Sequence, residues 1–245
     1  MKNKKLYNIL LISLIIIYIW VVYQFNFCTI NYHIIESVIA LIPLVIFVVI
    51  FLLLKKDKIK DLTANVLIII SIIIFFTTIF FSFVVLFLEE GTSNETNPYR
   101  YNHIKNIAGY TNYTYQFPKE ISDSFVSDRN VKFYYSPQFL QGAFNFNLLM
   151  DLDDNEINNY IEKYEDKAKI IIDMKENDKS EIQQDIVSEP YGIFEYDDYE
   201  EFIKKAKFYI FESEPYEPDN WNHGIMQYMA KNEDRNQLLL VTKIW

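Results

Sequence analysis

The chain has 245 residues, 51% hydrophobic and 17% aromatic, and 33 Asp and Glu against 23 Lys and Arg give a net charge of −10. An acid excess of that size repels phosphates and argues against a nucleic-acid partner. A single cysteine, Cys28, excludes an intramolecular disulfide.

Mean hydropathy, −0.01, hides a sharp division. Up to about residue 88 the chain is Ile, Leu, Val and Phe; beyond it, residues 89–245 carry 16 Lys or Arg against 30 Asp or Glu. Three apolar runs occupy 6–23, 34–54 and 66–88. About 20 apolar residues cross the hydrocarbon layer as a helix, so three transmembrane helices are expected in a membrane domain at 1–88. The first run is not a cleaved signal peptide, because no small-residue site follows it. Cys28 is not a lipoprotein anchor either, since bulky Phe25, Asn26 and Phe27 precede it.

Lysines set the expected orientation. Lys2, Lys4 and Lys5 precede the first span, and "KKDKIKD" at 55–61 joins the second to the third. Both flanks belong in the cytoplasm, and the formally uncharged 24–33 loop belongs outside. Everything after the third span is then extracytoplasmic, and the chain sits in the cell membrane. Glu36, one turn from His33, reads as an interfacial acid, and Pro43 as a kink in the second span. No charge lies near a span's midplane, so the spans read as an anchor or a subunit's membrane face rather than a transporter core.

Residues 89–115 are polar and turn-rich and read as a linker. Residues 116–245 are expected to form one α+β domain. "VKFYYS" at 131–136 predicts a strand, and 143–150 a second, with Phe144, Phe146, Leu148 and Met150 inward and Asn145 and Asn147 toward solvent. The two make an antiparallel hairpin. From Asp153 the period becomes helical, with Ile157, Tyr160, Ile161, Tyr164, Ala168 and Ile171 on one stripe and a capping box from Asp153 and Glu156. A second helix is expected at 198–205 and a strand at 207–214. After the loop 215–224 come strands at 225–231 and 237–244, joined by "NEDRN". The fold class is a three-helix transmembrane region followed by an extracytoplasmic α+β domain, an antiparallel sheet with helices on one face.

Asp151, Asp153, Asn155 and Glu162 match positions 1, 3, 5 and 12 of a calcium loop, but Glu156 stands where that loop needs glycine. A helix start explains the same acids, because its dipole favours them. The loop residues Trp221, Asn222, His223 and Gly224 are the candidate recognition site. His223 has no Ser or Cys partner in a nucleophile motif, and only His103 accompanies it beyond the spans, too few for a zinc set. No catalytic, metal or cofactor-binding residue is therefore assigned, and no cofactor is expected. Glycine-rich phosphate loops are absent.

"FYYSPQFLQG", "EINNYIEKYEDKAK" and "FESEPYEPDNWNHG" together resemble the outer domain of uncharacterised membrane proteins and lipoproteins of low-GC Gram-positive bacteria, over roughly residues 115–245. That resemblance implies display at a Gram-positive surface and carries no activity. The expected function is a non-enzymatic multi-pass membrane protein. Its partners are the lipid bilayer and another membrane or envelope protein, in an immunity- or sensor-type role. The alternatives are an envelope hydrolase using His223 with carboxylates, and an accessory subunit of a larger membrane complex.

Overall fold

The computed structural model describes residues 4–56, 58–92, 94–108, 114–137, 144–174, 190, 192–217, 220–232 and 234–245. The chain divides into two units, Met1–Glu90 and Gly91–Trp245.

The first unit is three helices, α1 (Lys4–Phe27), α2 (Ile34–Lys55) and α3 (Asp61–Thr92), each long and apolar enough to cross a membrane. Their inward residues recur at spacings of four and seven: Tyr7, Leu14, Val21 and Phe25 on α1, and Ala64, Ile68, Phe75 and Ile79 on α3. That spacing is the seam of a left-handed bundle. The large apolar residues between the seams stay exposed, as a lipid-facing surface requires. The helices alternate in direction. The Tyr7 hydroxyl donates to Asn65 Oδ1 at one end of the bundle. Near the other, Tyr18 reaches the Ser37 carbonyl at 3.2 Å, and the Phe25 and Phe83 rings lie 5.0 Å apart. At that second end His33 Nδ1 lies 3.7 Å from Glu36 Oε2, which places this acid at a helix terminus, not mid-span.

The second unit is an α+β fold on one six-stranded antiparallel sheet. Its elements are α4 (Tyr101–Ala108), α5 (Asp123–Asp128), β1 (Val131–Ser136), β2 (Phe144–Asp151), α6 (Asp154–Tyr164), β3 (Ile170–Asp173), α7 (Tyr196–Ile203), β4 (Ala206–Glu217), β5 (Asn220–Asn232) and β6 (Gln237–Ile244). The strand order is β1-β2-β6-β5-β4-β3. β6 and β5 are central, and β2, next to the β1 edge, is buried on both faces. One face carries Phe133, Tyr135, Phe144 and Phe146, and α4, α5 and α6 gather over it. Tyr101 of α4 packs edge-on against Phe133 and Phe146. The opposite face carries Leu149, Phe208, Tyr228 and Val241, and Phe202 of α7 packs on it.

Four expectations change. Asn145 and Asn147 are not on a solvent face, because α7 and residues 192–194 cover that side; they are 7% and 1% exposed. Residues 95–108 are not linker. Glu95 and Tyr135 exchange backbone hydrogen bonds of 2.9 and 2.8 Å, and Tyr101 and Ile104 are fully buried. The helix from Asp153 stops at Tyr164, followed by a short 3-10 turn, so Ala168 and Ile171 leave its stripe and Ile171 joins β3. The 215–224 loop is largely strand. β4 runs to Glu217, β5 starts at Asn220, and the two residues pair.

Candidate functional site

A cleft of about 660 Å³ opens on the face covered by α4 to α6. Met150 and Leu152, where β2 ends, contribute its apolar floor. Pro118, Ile121 and Phe125 form an apolar wall, and Glu120, Asn159 and Tyr160 add polar groups. Clefts of this size with a mostly apolar lining and few polar groups are the ordinary form of a ligand site.

Local chemistry fixes the walls. Asn102 of α4 binds the Ile121 backbone in both directions, at 2.8 and 2.7 Å, which holds the 118–122 segment beside the helix. Tyr101 Oη donates to the Pro118 carbonyl at 2.6 Å. Ser122 caps α5 by accepting from Phe125 N at 3.1 Å. On α6, Asp153 Oδ1 accepts from Glu156 N, and Glu156 Oε2 accepts from Asp153 N, each at 2.9 Å, completing the capping box. Glu156 also receives both guanidinium arms of Arg129, which lies 4.9 Å over the Phe125 ring. The carboxylate is thereby neutralised and fixed.

The calcium template cannot wrap an ion here, because residues 154–164 are helix. Its acids are already used: Asp151 Oδ1 accepts from Gln237 Nε2 at 2.9 Å, and Asp153 caps. Among the described residues no three His, Cys, Asp or Glu side chains converge.

Two polar groups of the cleft make no hydrogen bond to a described residue, the Tyr160 hydroxyl and the Asn159 amide. Burial, with Tyr164 beside it, pushes the Tyr160 phenol well above its ordinary range, so it is a neutral donor at any physiological pH. The cleft can therefore receive an apolar body and hydrogen-bond its polar edge. Among the described residues that line it, no nucleophile is paired with a base.

The sequence-derived loop lies elsewhere. Residues 221–224 fall in β5; the side chains of Trp221, Asn222 and His223 are outside the described residues. Gly224 pairs with Pro215 and exchanges backbone hydrogen bonds of 2.9 and 3.0 Å with Trp245, so it is an ordinary strand residue and not a turn glycine. His103 is on α4 and does not line the cleft. Tyr160 lies on the apolar stripe that the helical period predicts. Its phenol is the one hint the sequence offered, since a hydroxyl on an apolar stripe needs a wet or partnered end.

A half-buried ammonium lies on the same face as the cleft. Lys105 Nζ donates to the Thr114 carbonyl at 2.9 Å and lies 5.7 Å and 6.0 Å from the Phe117 and Phe146 ring centres. Burial lowers its ammonium from the ordinary 10.5 to about 8. Below about pH 8 both folded and unfolded chains hold this proton, and the folded one carries the full desolvation cost. Between about 8 and 10.5 the unfolded chain binds the proton and the folded one does not, so stability rises with pH. The native chain should gain urea resistance across that window relative to Lys105→Met. Parallel pH profiles for the two would disprove the assignment.

Together these features define a class of protein: a helical unit built for a membrane joined to an antiparallel α+β unit with a ligand-sized cleft. No family model, curated protein or solved structure matches the chain.

Proposed function

We propose that the three helices anchor the α+β unit in the cell membrane and display it outside the cytoplasm as a binding domain for another membrane or envelope protein, in an immunity- or sensor-type role. The observation that carries the orientation is the direction of the helices. α1 begins, and α2 gives way to α3, at the same end of the bundle, where Tyr7 meets Asn65; Lys5, Lys55, Lys56, Lys58 and Lys60 therefore gather at one side. Clustered lysines next to span ends remain cytoplasmic. The opposite end carries the uncharged 28–33 turn. Binding is supported by the cleft, whose lining joins an apolar floor to the Tyr160 phenol and the Asn159 amide, and a surface role agrees with the sequence resemblance to Gram-positive outer domains.

Reporter fusions test the topology. A fusion at Lys58 should be active only as a cytoplasmic reporter and one at Trp245 only as an external reporter. Both on one side of the membrane would end the proposal. For binding, photo-crosslinker placed at Asn159 should capture an envelope or membrane protein, and Tyr160→Ala should reduce that capture at least tenfold.

A further inference from the structure

The charges around the cleft select what can enter it. Among the described residues that line it none is Lys, Arg or His, and two are acids, Glu120 and Glu156. The two acids are in different states. Glu156 is held by both arms of Arg129 and by the Asp153 N–H, so its charge is compensated. Glu120 is exposed and makes no hydrogen bond or ion pair with a described residue. Lys119, beside it in sequence, does not line the cleft. An exposed glutamate alone is ordinary surface; this one shares a cleft with an apolar floor and two further polar groups.

Exposure orders the lining by depth. Met150 and Leu152 are 2% and 8% exposed and lie at the bottom, whereas Glu120 and Asn159 are exposed and lie at the rim, with the half-buried Tyr160. An apolar seat under a polar rim is the usual grip on a partner's anchoring side chain. The rim offers three chemistries. Glu120 attracts a cation. The Asn159 amide carries a donor and an acceptor side by side, the complement of one peptide unit. The Tyr160 phenol is a neutral donor. An anionic ligand would meet Glu120 with no base in the lining to offset it. Beyond the cleft the field has the same sign, because residues 89–245 hold 16 Lys or Arg against 30 Asp or Glu, and such a field draws cations in and turns anions away.

Resting on the binding-domain reading above, we infer that the cleft takes a basic and apolar peptide segment of its partner, with a large apolar side chain seated on Met150 and Leu152 and a Lys or Arg of the same segment at Glu120. The cleft's 660 Å³ is the size of a small-ligand site, room for a few side chains and too little for a folded element.

The test uses the full chain in nanodiscs of phosphatidylcholine, a lipid without net charge that does not itself select among charged peptides. The probes are three tetrapeptides, Lys-Leu-Phe-Lys, Gln-Leu-Phe-Gln and Glu-Leu-Phe-Glu, each with a neutral dye at one end and an amide at the other, read by fluorescence anisotropy. The basic peptide should bind about tenfold more tightly than the acidic one, with the neutral one between. Glu120→Gln should flatten that order and Glu120→Lys should reverse it. Tyr160→Phe should weaken all three peptides alike, which separates the hydroxyl from the charge. Equal affinity for the three, an order that survives both Glu120 substitutions, or binding of none would each overturn the inference. Displacement of the basic peptide by an equal concentration of butylammonium, which carries the cation and no peptide unit, would overturn it too. The crosslinker at Asn159 keeps the two readings apart: capture of a partner without any charge preference among the peptides leaves the binding domain standing and ends the basic segment alone.

Discussion

Replacing Phe146 by alanine should cost the second unit about 4 kcal/mol, enough to unfold it under mild conditions. Phe146 has no exposed surface. Its ring lies 4.8 Å from Phe117, 5.4 Å from Phe133, 5.9 Å from both Tyr101 and Tyr135, and 6.3 Å from Phe144. All but the Phe144 contact are edge-on, the geometry that adds about 0.5–1.5 kcal/mol per pair beyond burial. It is also the point where β2 meets α4 and the 114–118 segment. Truncation therefore removes the joint between sheet and helical cover and leaves a cavity that three rigid elements cannot collapse to fill. Pulse proteolysis in urea measures the loss. Phe146→Leu should recover most of it, and Tyr99→Ala, at an exposed ring, should stay within about 0.5 kcal/mol of the native chain. A Phe146→Ala cost below about 1.5 kcal/mol would show that this cluster is not the core.

The second large effect is at Gly192, just before α7. Its φ is +69°, where a side chain costs about 1 kcal/mol in backbone strain alone. A Cβ there would also enter the ring of Tyr134, with Cγ and Cε2 each 2.7 Å away. Gly192→Ala should therefore destabilise by at least about 2 kcal/mol, because the 192–194 segment must lift off the sheet face it covers. The clash and the backbone strain separate in a double-mutant cycle. Tyr134→Ala removes the ring but not the strain. The double variant should be more stable than the sum of the single costs predicts, by about 1–2 kcal/mol. Additive costs would place the whole effect in the backbone.

What sequence revealed and what it hid divide by the range of the interaction responsible. The three spans were legible because partition into lipid is a property of each segment alone, and α1 to α3 lie where hydropathy puts them. The capping box at Asp153 and Glu156 is local within four residues and was found. β6 spans the predicted 237–244, and β1 and β2 form the predicted hairpin. The failures are long-range. Asn145 and Asn147 alternate with phenylalanines as solvent-facing residues do, and only residues 192–194 and α7, some fifty residues on, cover them. Ile171 fits both a helical stripe and a strand, and it was β4 that claimed it. The 95–108 stretch is polar in composition, yet its Tyr101 and Ile104 enter the core. The cleft was invisible for the same reason, since its walls come from α4, the 118–122 segment, β2 and α6 and meet only after folding. The "WNHG" stretch holds residue types that are rare in this chain, but rarity is not geometry, and its backbone is strand.

The place of β6 has a consequence for biosynthesis. β6 lies between β2 and β5, with Phe144 set against Ile244 and Asp151 against Gln237, so this part of the sheet joins segments about 86–100 residues apart. At ribosomal speeds of ~5–20 residues per second, β2 is made roughly 5–20 s before the strand that completes it. Through that interval the nascent chain carries a strand whose two faces, one of them lined by Phe144, Phe146, Leu148 and Met150, are not yet covered, with one raw edge. The second unit cannot fold vectorially as it emerges; it closes in a late, cooperative step, and until then its quality control depends on whatever chaperones attend the growing polypeptide.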